Sequence, residues 1–221
     1  MSELLLAIDT CGATGGIALA TLDGESLTVL GEAELAGKTY SAQLIPAIRQ
    51  LLSGHRCSVT DLNAIVVTSG PGSFTGIRIG VSTAKGLAEA GGTPILAVSR
   101  LAVLAHKAGG EAATLDASRH EFYFGSFRDG SCRESLLTAD AFAAEAHTFG
   151  AGLAVCEASA HERAPQAVLV PPPAALDALR FALPRLRTGQ FSNTVTLDGN
   201  YLRRSDAEIF AKSKLVAVSQ P

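Results

Sequence analysis

The sequence predicts an α/β fold in two lobes, each a three-stranded meander followed by alternating helices and strands. Three observations predict it. Apolar runs of strand length alternate with helix-length segments through the first hundred residues. The same order then begins again, more weakly, after residue 100. In each half an apolar strand closes on an aspartate, at Asp9 and at Asp116, just before a second strand.

The elements follow in order. Residues 4–10 form a continuous apolar run, as in a strand buried on both faces. Gly15 and Gly16 turn the chain back into a strand over 17–22, and Asp23-Gly24 makes the hairpin to a third over 27–35. Thr39 or Ser41 caps a helix on which Leu44, Ile45, Ile48, Leu51 and Leu52 share a face, ended by Ser53-Gly54. A strand covers 62–68, a glycine-rich loop 69–76 and a helix about 75–90, closed by Gly91-Gly92. A strand over 93–98 completes a β-β-β-α-β-α-β order. In the second half a helix over 100–108, strands over 112–117 and 121–127, and an Asp129-Gly130 turn are expected. A helix over 139–146, a strand over 150–155 and, after three prolines, a helix over 176–186 follow. Two βββαβα halves of about 100 residues make an actin-like, ribonuclease H-like arrangement; the other reading is one α/β domain with irregular additions. The lobe boundary falls between 99 and 100: 1–99 is the first lobe and 100–221 a degenerate second one, whose last helix is free to pack back on the first.

The bulk properties limit the function. The 221 residues are 47% hydrophobic and 18% charged, with net charge −3. A chain so poor in charge calls for a partner or a second copy to cover apolar surface. It is not basic enough to hold nucleic acid alone, so any contact with RNA is expected to be indirect. The apolar run near the N-terminus has no positive flank and stops at Asp9, unlike a signal peptide. No stretch approaches a membrane span of about 20 apolar residues, and a cytoplasmic location is expected. Cys11, Cys57, Cys132 and Cys156 are scattered without a CxxC pair, which excludes the usual zinc motifs and suits reduced thiols.

One stretch departs from a generic α/β pattern: Gly70-Pro71-Gly72-Ser73-Phe74-Thr75-Gly76-Ile77-Arg78-Ile79-Gly80. It resembles the signature of the TsaB (YeaZ) family and of its paralogue TsaD. Further matches are Leu6-Ala7-Ile8-Asp9-Thr10, Ser41-Ala42-Gln43-Leu44, Val98-Ser99, Leu115-Asp116-Ala117 with Glu121-Phe122-Tyr123, and Asn200-Tyr201-Leu202-Arg203. They are strong to about residue 127 and thin over 131–198. The resemblance implies a non-catalytic activator and scaffold. TsaB binds TsaD and helps recruit the ATPase TsaE, and TsaD transfers threonylcarbamoyl to N6 of adenosine 37 in tRNAs that read codons beginning with A. It implies no cofactor on this chain, with ATP and metal held by TsaE and TsaD. A homodimer through the same helices is an alternative state.

The residues weigh this implication. The glycine loop fits neither phosphate template: GxGxxG needs glycine where Thr75 stands, and a P-loop needs a lysine that is absent. A tight turn with close helix–strand packing is the favoured reading of Gly70, Gly72 and Gly76; N–H groups given to a nucleotide shared with TsaD remain a variant. On the following helix Gly76, Gly80 and Ala84 recur every four residues, and two internal glycines cost about 1 kcal/mol each against alanine. The stripe suits close packing, either on the chain's own sheet or on a partner, and the resemblance favours the partner. The expected interface is then Leu44, Ile45, Ile48 and Arg49 on one helix with Ile77, Gly80, Thr83, Ala84 and Leu87 on the other. Gly80→Arg or Ala84→Arg is expected to keep the fold and break the pairing.

Actin-like ATPases clasp phosphates with two glycine-bearing loops. Asp9-Thr10-Cys11-Gly12-Ala13-Thr14 could be one, but Ala117-Ser118-Arg119-His120 after Asp116 has no glycine. Asp9, Thr10 and Asp116 thus read as remnants of phosphate loops. The resemblance places TsaD's two metal-binding histidines at Arg100 and Leu104, which suit no metal. His55, His106, His120, His147 and His161 never fall within four residues of one another, and no HExxH exists, so the protease label of this family has no support. The competing function is an ATP-binding enzyme of the actin and sugar-kinase class working alone near Asp9 or Asp116.

Overall fold

The computed structural model describes residues 2–128 and 130–203. Asp129 of the expected turn and 204–221 of the second lobe lie outside the described residues. The first sheet holds β1 (Glu3–Asp9), β2 (Thr14–Asp23), β3 (Ser26–Ala36), β4 (Ala64–Thr68) and β5 (Ile95–Val98) in the order β3-β2-β1-β4-β5. The second holds β6 (Ala112–Asp116), β7 (Glu121–Ser126), β8 (Arg133–Thr138), β9 (Leu153–Val155) and β10 (Val168–Leu169) in the order β8-β7-β6-β9-β10. Read from the meander edge, the two orders are the same. In both, the first strand pairs antiparallel with the second and parallel with the fourth. The chain therefore has the duplicated, two-lobed actin-like fold, and Asp9 and Asp116 end equivalent strands.

Among the described residues six α-helices cover the sheets: α1 (Tyr40–Gly54), α2 (Phe74–Gly91), α3 (Arg100–Ala108), α4 (Ala139–Phe149), α5 (Ala158–Arg163) and α6 (Ala175–Arg187). β1 is apolar from Leu4 to Ile8 because both of its faces are covered there. Leu4, Leu6 and Ile8 meet α1 and α2 through Leu44, Ile48, Ile77, Val81 and Ala84. On the other face Leu5 and Ala7, with Val66 and Leu96, meet Ala178, Leu179 and Ala182 of α6. The second sheet is covered by α4 and α5 on one face. Its other face, with Ala113, Leu115 and Tyr123, takes Leu101, Leu104 and Ala105 of α3. α3, which follows directly on the first sheet's last strand, thus covers the second sheet, while α6 of the second half covers the first, and Lys107 of α3 pairs with Asp177 of α6 at 2.7 Å where the two meet.

Three elements escape the sequence reading: β8, α5 and β10. β8 is an edge strand, Arg-Glu-Ser-Leu-Leu-Thr, with no fully buried residue and so no alternation to read. α5 has 6 residues and β10 has 2, too short for a period to show.

After α6 the chain runs back over the first lobe. Ser192 donates its N–H to Ile95 and accepts that of Ala97, extending the β5 edge. Lys85 of α2 donates to the Leu197 carbonyl at 3.1 Å, and Asn200 N–H reaches the Ser69 carbonyl at 2.7 Å.

Candidate functional site

The signature loop 69–76 is a knot of the chain's own contacts. Ser73 caps α2, accepting the Gly76 N–H on its side chain and giving its own N–H to the Cys11 carbonyl at 2.8 Å. Thr10, fully buried, donates its hydroxyl to the Gly76 carbonyl at 2.7 Å. A Cβ on Gly72 would overlap the Cys11 carbonyl, and one on Gly76 the Thr10 carbonyl, so both glycines are fixed by close approach of backbone. The N–H groups of Ser73 and Gly76 are therefore spent internally. The turn-and-packing reading of the loop fits, and phosphate capture through those two groups does not. Outside, Phe74 lies against the Tyr201 ring at 4.7 Å, with the Arg78 guanidinium 5.0 Å over the Phe74 ring.

The stripe on α2 faces inward, contrary to the expected partner face. Gly76, Gly80 and Ala84 are buried against β1: a Cβ on Gly80 would run into Thr10 Oγ1 with Ile8 just beyond. Leu44, Ile48 and Ile77 are core residues too. The physical reason is that the sheet needs close helices on this side, and glycine supplies them. Arginine at position 80 or 84 would be driven into the core, so the expected fold-preserving Gly80→Arg and Ala84→Arg do not apply. What the two helices leave outward is a shallower surface. Ile45 is 44% exposed, Arg49 is exposed, and Thr83 and Leu87 are half-buried. Between them lies a groove of about 270 Å³, lined by Ile45, Arg49, Leu52, Cys57, Val59 and Leu87.

The cleft between the lobes, about 660 Å³, is walled by the loop after β1 and by Ser73 on one side. Asp116, Ala117, Ser118, Tyr123 and Glu157 wall the other. The two aspartates behave alike locally: Asp9 Oδ1 accepts the N–H of Cys11 at 2.9 Å, and Asp116 Oδ1 that of Ser118 at 2.6 Å. Beyond that they differ. Asp9 is 1% exposed, whereas Asp116 is exposed and held by the Ser159 hydroxyl at 2.6 Å. Ser118, Arg119 and His120 all take left-handed backbone angles, φ 61°, 59° and 59°, without a glycine among them. Arg203 buttresses this turn, donating to the Ser118 carbonyl at 3.2 Å and pairing with Glu121.

Arg100, the first residue of α3, projects into the junction with its Nε 3.7 Å from Asp9 Oδ2. Burial works to lower its pKa, but Asp9, then Cys11, Cys156 and Glu157, outweigh that and the value is raised. Burial also pushes the Cys11 thiol well up, with Asp9 adding to it, which leaves a poor nucleophile. Leu104, at the second expected histidine position, is fully buried in the core under α3. Among the described residues no group of three or more His, Cys, Asp or Glu sits so as to hold a metal ion. Arg100 and Leu104, where the resemblance places two metal-binding histidines, offer a guanidinium and an aliphatic side chain, neither of which is a usual metal donor. His106, on the far turn of α3, stacks edge-on with Phe181 at 5.5 Å.

The model of the family described as TsaD, tRNA N6-adenosine threonylcarbamoyltransferase, matches residues 33–172, more than half of the chain. The chain belongs to this family. Among curated relatives it is 42% identical over 129 residues to the tRNA threonylcarbamoyladenosine biosynthesis protein TsaB of Bacillus subtilis, covering 56% of this chain and 55% of that one. It is 35% identical over 130 residues to TsaB of Escherichia coli, covering 56% and 54%. The match thus spans about half the length of these curated relatives. Among solved structures, a Pseudomonas aeruginosa protein described as similar to peptidase YeaZ superposes with TM-score 0.71 at 28% identity, over 91% of this chain and all of that one. YeaZ from Pseudomonas aeruginosa gives 0.66 at 26%, over 89% and 100%. The resemblance to the TsaB/YeaZ branch drawn from the signature loop holds in sequence and in fold.

Proposed function

We propose that the chain is a non-catalytic subunit of the threonylcarbamoyl-transfer machinery, binding a TsaD paralogue through the outer face of α1 and α2. The observation that carries it is the pair Arg100 and Leu104 where the catalytic paralogue is expected to hold its metal. The Arg100 guanidinium and Ser118, in a turn without glycine, line the cleft in which an actin-like enzyme would hold a nucleotide. The surface that could act instead is the groove between α1 and α2, apolar at Ile45, Leu52, Val59 and Leu87 with Arg49 at its rim. Apolar anchors inside a polar rim are the usual make-up of a specific interface. On this reading ATP and metal belong to TsaE and TsaD, TsaE joins through the paired subunits, and tRNA is met only through them.

Size-exclusion of the chain mixed with the TsaD of its own genome tests the pairing. Parent chain is expected to co-elute with it, and Ile45→Glu or Leu87→Glu to weaken it by tenfold or more, as a charge forced into an apolar contact costs about 1–3 kcal/mol or above. Ile45 is open to solvent, so Ile45→Glu keeps the parent's melting temperature; Leu87 is half-buried against the core, so Leu87→Glu is compared at a temperature well below its own melting point. The competing reading, an enzyme that acts alone, requires the isolated chain to turn over ATP–magnesium; a background rate is expected. Full co-elution of both glutamate variants would remove the groove from the interface.

A further inference from the structure

Three features around one point fit together without any partner. Asp9 is buried to 1% exposure, and its Oδ2 has no hydrogen-bond donor among the described residues. Arg100 faces it at 3.7 Å, its side chain 9% exposed and its Nε likewise without a hydrogen bond. This arginine also occupies the first turn of a helix, the end at which the peptide dipoles disfavour positive charge. Across from it Gly12 has no side chain, and a Cβ there would overlap Arg100 Nη2. The loop is thinned where the guanidinium lies. A buried carboxylate without a counter-charge is costly, and Arg100 is the cation paired with it.

We propose that the end of β1 is a cation site whose occupant is the chain's own guanidinium, Arg100 acting as a tethered counter-ion to Asp9 in a cradle left open by Gly12. The site joins the loop after β1 to the start of α3, whose backbone N–H is held by the Gly70 carbonyl at 2.7 Å. It therefore ties the first sheet to the helix that covers the second. The inference concerns the ground state of this chain and stands whether or not TsaD pairs with it.

The test is a double-mutant cycle on the full chain in urea at pH 7, with Arg100→Ala, Asp9→Asn and both together. Arg100→Ala is expected to lower the folding equilibrium constant about 100-fold or more, because it strands a buried charge. Adding Asp9→Asn should recover most of that loss. Ethylguanidinium at a few millimolar should raise the melting temperature of Arg100→Ala, and equal sodium chloride should not. Neither salt should move the parent or the double variant. Additive losses from the two substitutions, or an ethylguanidinium effect that persists in the double variant, would overturn the proposal. If Arg100→Ala does not fold at all, solubility decides: a folded double variant supports the pairing, and an unfolded one refutes it.

Discussion

At the scale of single residues, one carboxylate and two glycines show how local surroundings set the outcome. Burial pushes the Glu157 carboxyl above its ordinary 4.5, against hydrogen bonds from the Cys156 thiol and the Asp116 N–H and the attraction of Arg100. A carboxyl raised in the folded chain contributes stability below its ordinary value and loses it as pH rises through the folded-state value. Glu157→Gln, which keeps an acceptor for the Asp116 N–H, removes that loss. The melting temperature of the variant minus that of the parent should therefore grow from pH 4.5 to pH 7; a flat difference would contradict the assignment. The glycines of α2 give opposite signs for one substitution. Gly76→Ala forces a methyl into the Thr10 carbonyl and is expected to destabilise by about 1–3 kcal/mol in urea unfolding. Gly86→Ala meets nothing within 4 Å and should stabilise by up to about 1 kcal/mol through helix propensity. Spacing alone could not tell whether Gly76 and Gly80 meet a partner or the sheet, since glycines four residues apart suit both. What decided between them was the length of the approach from β1, which no sequence period encodes.

At the scale of elements, legibility followed burial. β1, β4, α2 and α3 carry strong apolar runs or periods with caps, Ser73 and Gly92 on α2, Ser99 and Gly109 on α3. Their places were read nearly to the residue. β8 was missed because a half-exposed edge strand owes its position to pairing with β7 along its whole length, Glu121 opposite Thr138 to Ser126 opposite Arg133. Of the site, Asp9, Asp116 and the emptied histidine positions were visible in sequence. The ion pair of Asp9 with Arg100 was not, though a cation in the first turn of α3, just past its Ser99 cap, was the signal available. The outer face of α1 was half legible: its helical period marked Ile45 and Ile48 together, but one lies outside and the other in the core.

At the scale of the whole molecule, the packing of α6 on the first sheet and its ion pair with α3 tie the two halves of the chain together. Leu179 belongs to the second half of the chain yet is fully buried on the first sheet. Leu179→Ala is expected to cost about 2–5 kcal/mol and to lower a single unfolding transition seen equally by probes in either lobe. Two separated transitions would show the halves melting independently. The duplication itself was legible from the paired aspartates and the recurring order of strands. The return of α6 to the first sheet was left open in the sequence, because a helix's apolar stripe names a buried face without naming the sheet it covers. Synthesis on the ribosome inherits an awkward schedule from that return. The strands around Leu5, Val66 and Leu96 leave the exit tunnel with one side bare, and their cover comes only when residues 175–187 have emerged. For much of its translation time the nascent polypeptide is therefore a client for whatever shields sticky surface in the cell, and a stall in that interval leaves an aggregation-prone fragment rather than a usable half.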